Sequence, residues 1–183
     1  KTFFFKDYLI ENNKKKMPRN KLNLIISKSG NTLETIINSN DLLNNNQKNI
    51  FITEYRNSYL LHQAKKLKSE IVNHNNFIGG RYSVLSEVGM LPAELMGLNH
   101  NKFKRLNELV KKKDFINSLI LNVSNILSCV KQKKTNSIIL NYDERSNDFL
   151  LWYQQLVSES LGKKGKGILP VISNMPKDNH SLM

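Results

Sequence analysis

The sequence predicts a three-layer α/β fold, in which parallel sheets are covered by helices on both faces. Three observations indicate it: short apolar runs are bounded by turn residues, segments of helical period alternate with them, and the 39% hydrophobic content is ordinary for a globular domain. Such alternation is typical of βαβ units, because parallel strands need a long crossover between them. The 183 residues suffice for one nearly complete α/β unit and the start of a second.

Five apolar runs, each partly β-branched or aromatic, are predicted to form buried strands. They span residues 22–27, 49–53, 76–78, 137–142 and 167–172. Between them, residues 32–43 and 56–68 carry apolar side chains at helical spacing, which predicts crossover helices. A further helix is predicted over residues 148–161, with Asp148 capping its start and Gly162 ending it.

Residues 83–134 have a helical period without a clear strand. Pro92, Gly97 and a cluster of asparagines at 99 and 101 divide this stretch into at least three helices. Because the stretch is too long for one crossover, we predict three parts. They are a first α/β subdomain at 1–82, a helical bridge at 83–134 and the start of a second α/β subdomain at 135–183.

Composition excludes several classes of protein. No apolar run approaches the roughly 20 residues that cross a bilayer. The single cysteine, Cys129, excludes an intramolecular disulfide and a cysteine-based metal cage, and we expect its thiol to be buried on an apolar helix face. We therefore expect a soluble, cytoplasmic protein that makes no membrane contact.

The net charge of +13 raises nucleic-acid binding as an alternative, because clustered cations bind a phosphate backbone. However, the lysine runs at 14–16, 111–113 and 163–166 lie in separate segments and have no aromatic residues between the charges. Proteins that bind single strands interleave the two residue types. We therefore favour a solvated basic surface and no nucleic-acid partner.

Residues 26–35 follow a predicted strand and open a predicted helix, where backbone N–H groups and the helix dipole favour an anion. Asn31 can cap that helix while Glu34 reaches back to the cap amide, and Gly30 permits a close backbone approach. Four small hydroxyl side chains can add hydrogen bonds, and one lysine flanks them: Ser27, Ser29, Thr32, Thr35 and Lys28.

The ligand class follows from what this segment lacks. Its glycine and lysine spacing is neither that of a Walker loop nor that of a dinucleotide fingerprint, and it offers no magnesium ligand set. A phosphate monoester such as a sugar phosphate is therefore favoured over a nucleotide. The alternative is a helix cap rich in serine and threonine that binds nothing.

Three further segments, 79–83, 159–163 and 179–181, carry charged or titratable groups. We place them beyond the carboxyl ends of strands, where α/β proteins bind ligands. In the first, Gly79 and Gly80 permit an unusual backbone path that lets the Arg81 guanidinium reach over a ligand. Taken alone, each charged group could be incidental, Glu159 and His180 included.

Taken together, these segments resemble the phosphoglucose isomerase family, which interconverts glucose 6-phosphate and fructose 6-phosphate. The resemblance rests on residues 27–35, 79–91, 152–165 and 176–182. It is most specific in two runs: Gly-Gly-Arg-Tyr-Ser-Val-Leu-Ser from Gly79, followed by Val-Gly-Met-Leu-Pro, and Tyr-Gln-Gln from Tyr153 ahead of Glu-Ser-Leu-Gly-Lys from Glu159. The resemblance implies sugar-isomerase subdomains of the SIS type, which are Rossmann-like.

The resemblance also implies roles for these residues. Arg81 would stabilise an enediolate, and Glu159, its pKa tuned by partial burial, would carry a proton between C1 and C2. His180 would assist ring opening in the neighbouring subunit of a homodimer. No metal or organic cofactor is implied. The substrate phosphate would be bound by Ser27, Lys28, Ser29, Thr32 and Thr35, with Gly79 and Gly80 in the substrate loop.

A second hypothesis keeps the phosphate site without the chemistry, as a non-catalytic sensor that binds a phosphosugar. Such a sensor would not need Arg81, Glu159 and His180 together, so the isomerase is favoured. Its pathways would be glycolysis and gluconeogenesis.

The resembled family has a further strand and a Gly-Gly-Ser loop ahead of the first strand, and later helices with an active-site lysine, which these 183 residues lack. We therefore expect a fragment or truncated product with little or no isomerase activity, because part of the substrate's surroundings is missing. A coupled assay of fructose 6-phosphate turnover tests this expectation. Turnover at ordinary enzyme rates would contradict it.

Overall fold

The computed structural model describes residues 21–40, 42–43 and 47–182, so the lysine run at 14–16 lies outside the described residues. The chain divides into two compact units, Lys1–Phe103 and Lys104–Met183, here called unit 1 and unit 2. The boundary falls inside the predicted helical bridge. The division into three parts stays a prediction.

Unit 1 contains a parallel three-stranded sheet built from two strand–helix–strand crossovers. In chain order its elements are β1 (Leu22–Ile26), α1 (Leu33–Asn40), β2 (Lys48–Thr53), α2 (Tyr59–Lys66) and β3 (Glu70–Asn73). The strand order is β1-β2-β3, so β2 is central. Leu24 lies opposite Ile50, and Ile52 lies opposite Val72. This confirms the predicted parallel α/β fold.

The core of unit 1 lies between the sheet and its helices. Phe51 and Ile52 of the central strand are fully buried, because a strand paired on both edges and covered by helices reaches no solvent. Leu60 and Ala64 bring α2 onto the same core. Ser58 precedes that helix, and its Oγ accepts a hydrogen bond from the Leu61 amide, so the start of α2 is fixed by a side-chain cap.

The third strand is not where the sequence analysis places it. We predict it at residues 76–78, whereas β3 spans Glu70–Asn73. Residues 76–78 instead form a turn whose Asn76 and Ile78 carbonyls accept hydrogen bonds from the Lys28 ammonium. The prediction is wrong because β3 is short and has polar residues at both ends, so its apolar signal is only two residues long.

Two helical segments follow β3 in unit 1: a 3-10 helix over Gly80–Leu85 and α3 over Glu87–Leu95. The two segments approach each other closely at Gly89, where an added Cβ would lie 2.0 Å from the Val84 carbonyl oxygen. Substitution there therefore requires the two segments to move apart. The short helix α4, Asn101–Lys104, comes next in the chain.

Unit 2 contains a parallel pair of strands and a long helix. Its elements are α5 (Leu106–Leu109), α6 (Lys113–Lys131), β4 (Asn136–Asn141), α7 (Asn147–Leu161), β5 (Leu169–Asn174) and α8 (Asn179–Leu182). Asn136 pairs with Leu169 and Asn141 with Asn174. Cys129 on α6 is exposed, so the expectation of a buried thiol is wrong.

The start of α7 also differs from the prediction. Ser146, not Asp148, precedes its first residue, and Asp148 lies within the first turn. An aspartate cap is present one turn earlier in the chain. Asp143 Oδ1 accepts a hydrogen bond from the Arg145 amide and caps the 3-10 helix Glu144–Ser146. Gly162 follows the helix as predicted. No helix in the described part of the chain is long and apolar enough to cross a bilayer.

Candidate functional site

The loop between β1 and α1, residues 27–32, brings three hydroxyl groups together at the carboxyl end of β1. Thr32 Oγ1 lies 2.8 Å from Ser27 Oγ and 3.5 Å from Ser29 Oγ. The Gly30 amide donates to Ser27 Oγ at 3.2 Å, and the Asn31 amide donates to Ser29 Oγ at 3.1 Å. Thr35 lies one turn into α1. The loop thus offers hydroxyls at a helix N-terminus, a combination suited to an anion.

The cap of α1 differs from the predicted one. Asn31 Oδ1 accepts from the Tyr59 backbone amide at 2.9 Å, so it ties the loop to the start of α2 instead of capping α1. The Leu60 amide donates to the Gly30 carbonyl at 3.0 Å and adds a second tie. The shape of this loop is therefore set by α2 as well as by α1.

Gly30 is required where it stands. Its φ of +66° lies in the left-handed region, and a Cβ there would meet Ser58 Oγ at 2.2 Å and Thr53 Oγ1 at 3.0 Å. Any other residue would therefore be strained and would also push the loop away from the cap of α2.

Lys28 has a different neighbourhood from the one the sequence suggests. Its ammonium donates to the Asn76 carbonyl at 2.8 Å and to the Ile78 carbonyl at 2.7 Å. It also lies 3.4 Å from Glu54 Oε1. Lys28 therefore links the β1–α1 loop to the segment that leads into Gly79 and Gly80.

Glu54 follows β2 at the same edge of the sheet, and the sequence analysis missed it. It is only 7% exposed, and its second carboxylate oxygen lies 3.2 Å from Arg56 Nε. A buried carboxylate needs such partners, since an unpaired charge away from water is costly. Its position directly after a buried strand was the signal available in the sequence.

Arg81 lies in the 3-10 helix that follows the two glycines. Its side chain is half-buried, and its guanidinium carbon lies 5.2 Å from the centroid of the Tyr82 ring. That geometry permits a cation–π contact, which restricts the arginine without removing its charge. The structure thus presents a restrained cation in the segment that follows β3.

His74 and Glu87 were also missed by the sequence analysis. His74, directly after β3, is 2% exposed, and its Nδ1 forms a hydrogen bond with Glu87 Oε1. Partial burial raises the pKa of Glu87, but the hydrogen bond with His74, backbone amides and the nearby His74 charge outweigh it, so the pKa of Glu87 is lowered. Placing β3 correctly would have put a histidine at the strand's carboxyl end, the usual location of functional groups.

In unit 2, Glu159 lies near the end of α7 and is exposed, not partly buried as expected. Its Oε1 accepts from Gln155 Nε2 at 2.9 Å. The helix runs from the carboxyl end of β4 to the amino end of β5, and Gln154 Nε2 donates to the Pro170 carbonyl at the start of β5. Glu159 is therefore at the amino edge of this sheet, and its predicted place beyond a carboxyl end is wrong.

His180 lies beyond the other edge of the same sheet. It is exposed in α8, after a turn held by Asp178, whose Oδ2 accepts from the Asn174 amide at 2.7 Å and from Ser173 Oγ at 3.2 Å. The six residues of β5 span about 20 Å. Glu159 and His180 of one chain are thus not brought together.

Side chains that could bind a metal ion are dispersed. Among residues 21–40, 42–43 and 47–182, no group of three histidine, cysteine, aspartate or glutamate side chains is placed to hold one.

Comparison with known proteins adds the following. A family model described as phosphoglucose isomerase matches residues 8–169. A glucose-6-phosphate isomerase of Methanocaldococcus jannaschii is 35% identical over 171 residues, which cover 87% of this chain and 42% of the relative. One from Mycoplasmopsis pulmonis is 33% identical over 173 residues, covering 86% and 40%.

A solved structure is also similar. The crystal structure of a hypothetical protein from Thermus thermophilus matches with a TM-score of 0.70 and 26% identity, covering 86% of this chain and 42% of that one. The chain therefore spans about two fifths of the length of the curated relatives it matches.

Replacing Gly30 by alanine should lower the free energy of unfolding by about 1–3 kcal/mol, because the new Cβ is both strained and obstructed. Urea unfolding measures it. The matched control is Gly97→Ala, since Gly97 also has a positive φ, +83°, but open space around it. Equal losses in the two variants would show that the contact with Ser58 contributes nothing.

The Glu87 carboxylate should make stability depend on pH in a defined direction. Because its pKa is lower in the folded chain, ionised Glu87 stabilises the fold above its ordinary value of 4.5, and this contribution is lost as the pH falls through the lower folded value. The stability advantage of the wild type over Glu87→Gln should thus be present at pH 7 and shrink below pH 4.5.

The control for that experiment is Glu70→Gln, which removes an exposed carboxylate in unit 1. Urea unfolding at a series of pH values gives both comparisons. A difference between wild type and Glu87→Gln that stays constant from pH 7 to pH 3 would contradict the assignment.

Proposed function

The chain belongs to the phosphoglucose isomerase family, and on that premise we propose that its residues bind a sugar phosphate and take part in interconverting glucose 6-phosphate and fructose 6-phosphate. The observation that carries the proposal is the group of three hydroxyls around Thr32 Oγ1 at the N-terminus of α1. A phosphate monoester fits hydroxyl and amide donors of this kind without a metal ion.

Arg81 supplies the electrostatic part of the proposed reaction. When a proton leaves the carbon next to a carbonyl, negative charge develops on the enediolate oxygens. A guanidinium that is already restrained by Tyr82 stabilises that charge without reorganising during the step. The half-buried position of Arg81 strengthens the effect, since a partly desolvated charge is screened less than one in bulk water.

Glu159 is the proposed base that carries a proton between C1 and C2. The hydrogen bond that Gln155 donates to its carboxylate stabilises the ionised form, which is the form that a base requires. Substrate binding would supply the desolvation that the exposed side chain now lacks.

We assign His180 to ring opening in the active site of a neighbouring subunit, as part of the same proposal. Its exposed position in α8 supports this, because an exposed side chain is accessible to a neighbouring subunit. The homodimer, the SIS-type subdomains, the cytoplasm and a place in glycolysis and gluconeogenesis complete the proposal, and each follows from the family.

Thr32→Val should weaken the binding of glucose 6-phosphate about tenfold, because it removes the oxygen that Ser27 and Ser29 share while keeping the shape. Titration calorimetry on the 183-residue chain measures the dissociation constant. Thr32→Ser is the matched control, since it keeps the hydroxyl, and it should bind like the wild type. Equal weakening in both variants would contradict a direct role for this oxygen.

Glu159→Gln should abolish the exchange of the substrate proton while leaving the dissociation constant for glucose 6-phosphate within about twofold. The measurement is deuterium incorporation at C1 of fructose 6-phosphate in D2O, followed by NMR over long incubations so that slow exchange is seen. Glu144→Gln, an exposed carboxylate in the same unit, is the control. Equal exchange in wild type and Glu159→Gln would contradict the role proposed for Glu159 and would favour a binding module over an isomerase.

A further inference from the structure

His74 is a buried histidine that the chemistry proposed above does not use. It follows β3 directly, and its backbone amide donates to the Thr53 carbonyl at 2.9 Å, so the sheet fixes where its side chain starts. The ring is almost completely buried. A histidine withdrawn from solvent in this way needs partners for both ring nitrogens.

Both partners are present. Nε2 lies 3.2 Å from the Ile78 carbonyl oxygen, which can only accept, so Nε2 carries a hydrogen. Nδ1 forms its hydrogen bond with the Glu87 carboxylate. Each ring nitrogen therefore has a partner fixed in the fold.

The two partners of the ring lie at the two ends of one segment. Ile78 immediately precedes Gly79 and Gly80, and Glu87 is the first residue of α3. Arg81 lies between them, in the 3-10 helix. Two adjacent glycines leave the start of this segment weakly determined, since glycine has the largest conformational freedom of any residue. The His74 ring therefore fastens both ends of the segment that carries Arg81.

A second donor meets the same carbonyl group. The Lys28 ammonium lies 2.7 Å from the Ile78 oxygen, so this oxygen accepts from Lys28 and from His74 together. Lys28 belongs to the β1–α1 loop, which carries the phosphate site. The Ile78 carbonyl thus connects the β1–α1 loop to the start of the segment that carries Arg81, and His74 bonds to the same oxygen.

We propose that His74 is a positioning residue that sets the location of Arg81 relative to the phosphate site by fastening Ile78 and Glu87. It touches no reacting atom and acts only through these two contacts. The proposal rests on the proposed function in one respect, namely that Arg81 meets negative charge on the ligand. Loss of either contact removes one of the bonds that position an end of this segment, so we expect Arg81 to shift.

The binding of two ligands can distinguish a positioning role of His74 from a general structural role. Inorganic phosphate needs only the β1–α1 loop. The five-carbon aldonic acid phosphate 5-phosphoarabinonate adds a carboxylate where the enediolate charge would develop, and so reports on Arg81. The ratio of the two dissociation constants on the 183-residue chain, measured by calorimetry, is the readout. Destabilisation of unit 1 as a whole would weaken both ligands and leave the ratio unchanged.

Two substitutions divide the contacts of the ring. His74→Gln places an amide nitrogen near the position of Nε2 and keeps the donor to Ile78, whereas His74→Asn places one near Nδ1 and keeps the donor to Glu87. Each should weaken 5-phosphoarabinonate about tenfold and inorganic phosphate less than about twofold, since small misplacements of a binding group have effects of this size or larger. Glu87→Gln, at a partly exposed side chain that can change without unfolding the chain, should act in the same direction.

Combining Arg81→Ala with the His74 substitutions gives a double-mutant cycle, which tests whether His74 acts through Arg81. In that background the His74 substitutions should add no further loss for 5-phosphoarabinonate. If Arg81→Ala weakens the acid but His74→Gln, His74→Asn and Glu87→Gln do not, the positioning role is wrong and the proposed function stands. If the variants weaken both ligands equally, His74 is merely structural. If Arg81→Ala has no effect on the acid, the role proposed for Arg81 is wrong and the inference is overturned with it.

Discussion

The Ile78 carbonyl is the contact on which the architecture of unit 1's candidate site depends. It accepts from the Lys28 ammonium at 2.7 Å and from His74 Nε2 at 3.2 Å. Lys28 belongs to the loop after β1, and His74 directly follows β3. Because β2 lies between these two outer strands, the Ile78 oxygen links their carboxyl ends across it. Neither β1 nor β3 pairs directly with the other, and this junction is what relates their loops.

Around that junction, the buried polar side chains have partners. The buried Glu54 carboxylate lies near the Lys28 and Arg56 cations, and the buried His74 ring forms a hydrogen bond with Glu87. Such pairs contribute modestly to stability, because desolvation offsets most of their attraction, but removing one partner leaves a costly unpaired group. Their effect is to specify one arrangement of the loops. A binding site benefits from that, since groups that are already in place lose less freedom when the ligand arrives.

The sequence was sufficient for the parallel fold, because that fold depends on local patterns: buried apolar runs, turn residues and helix starts. It was insufficient for β3, whose apolar signal is only Ile71 and Val72. It was also insufficient for Glu54 and His74, since their partners depend on contacts between distant parts of the chain. Asn31 shows the same limit, because its side chain was available for a local cap but bonds to Tyr59, 28 residues away.

In unit 2 the direction of α7 has the largest consequence for function. A helix that returns from one edge of a parallel sheet to the other places residues near its end at the amino edge, so Glu159 lies away from His180 whatever the side chains do.

The central claim is that the loop at residues 27–32 is a prepared phosphate site, and amide NMR tests it most directly. Titrating the 15N-labelled chain with inorganic phosphate should give saturable shifts at Ser29, Gly30 and Asn31, with smaller ones at Gly79 and Gly80 through the Ile78 junction. Shifts confined to the lysine runs at 111–113 and 163–166, without saturation, would show that phosphate only meets a basic surface and would contradict the account.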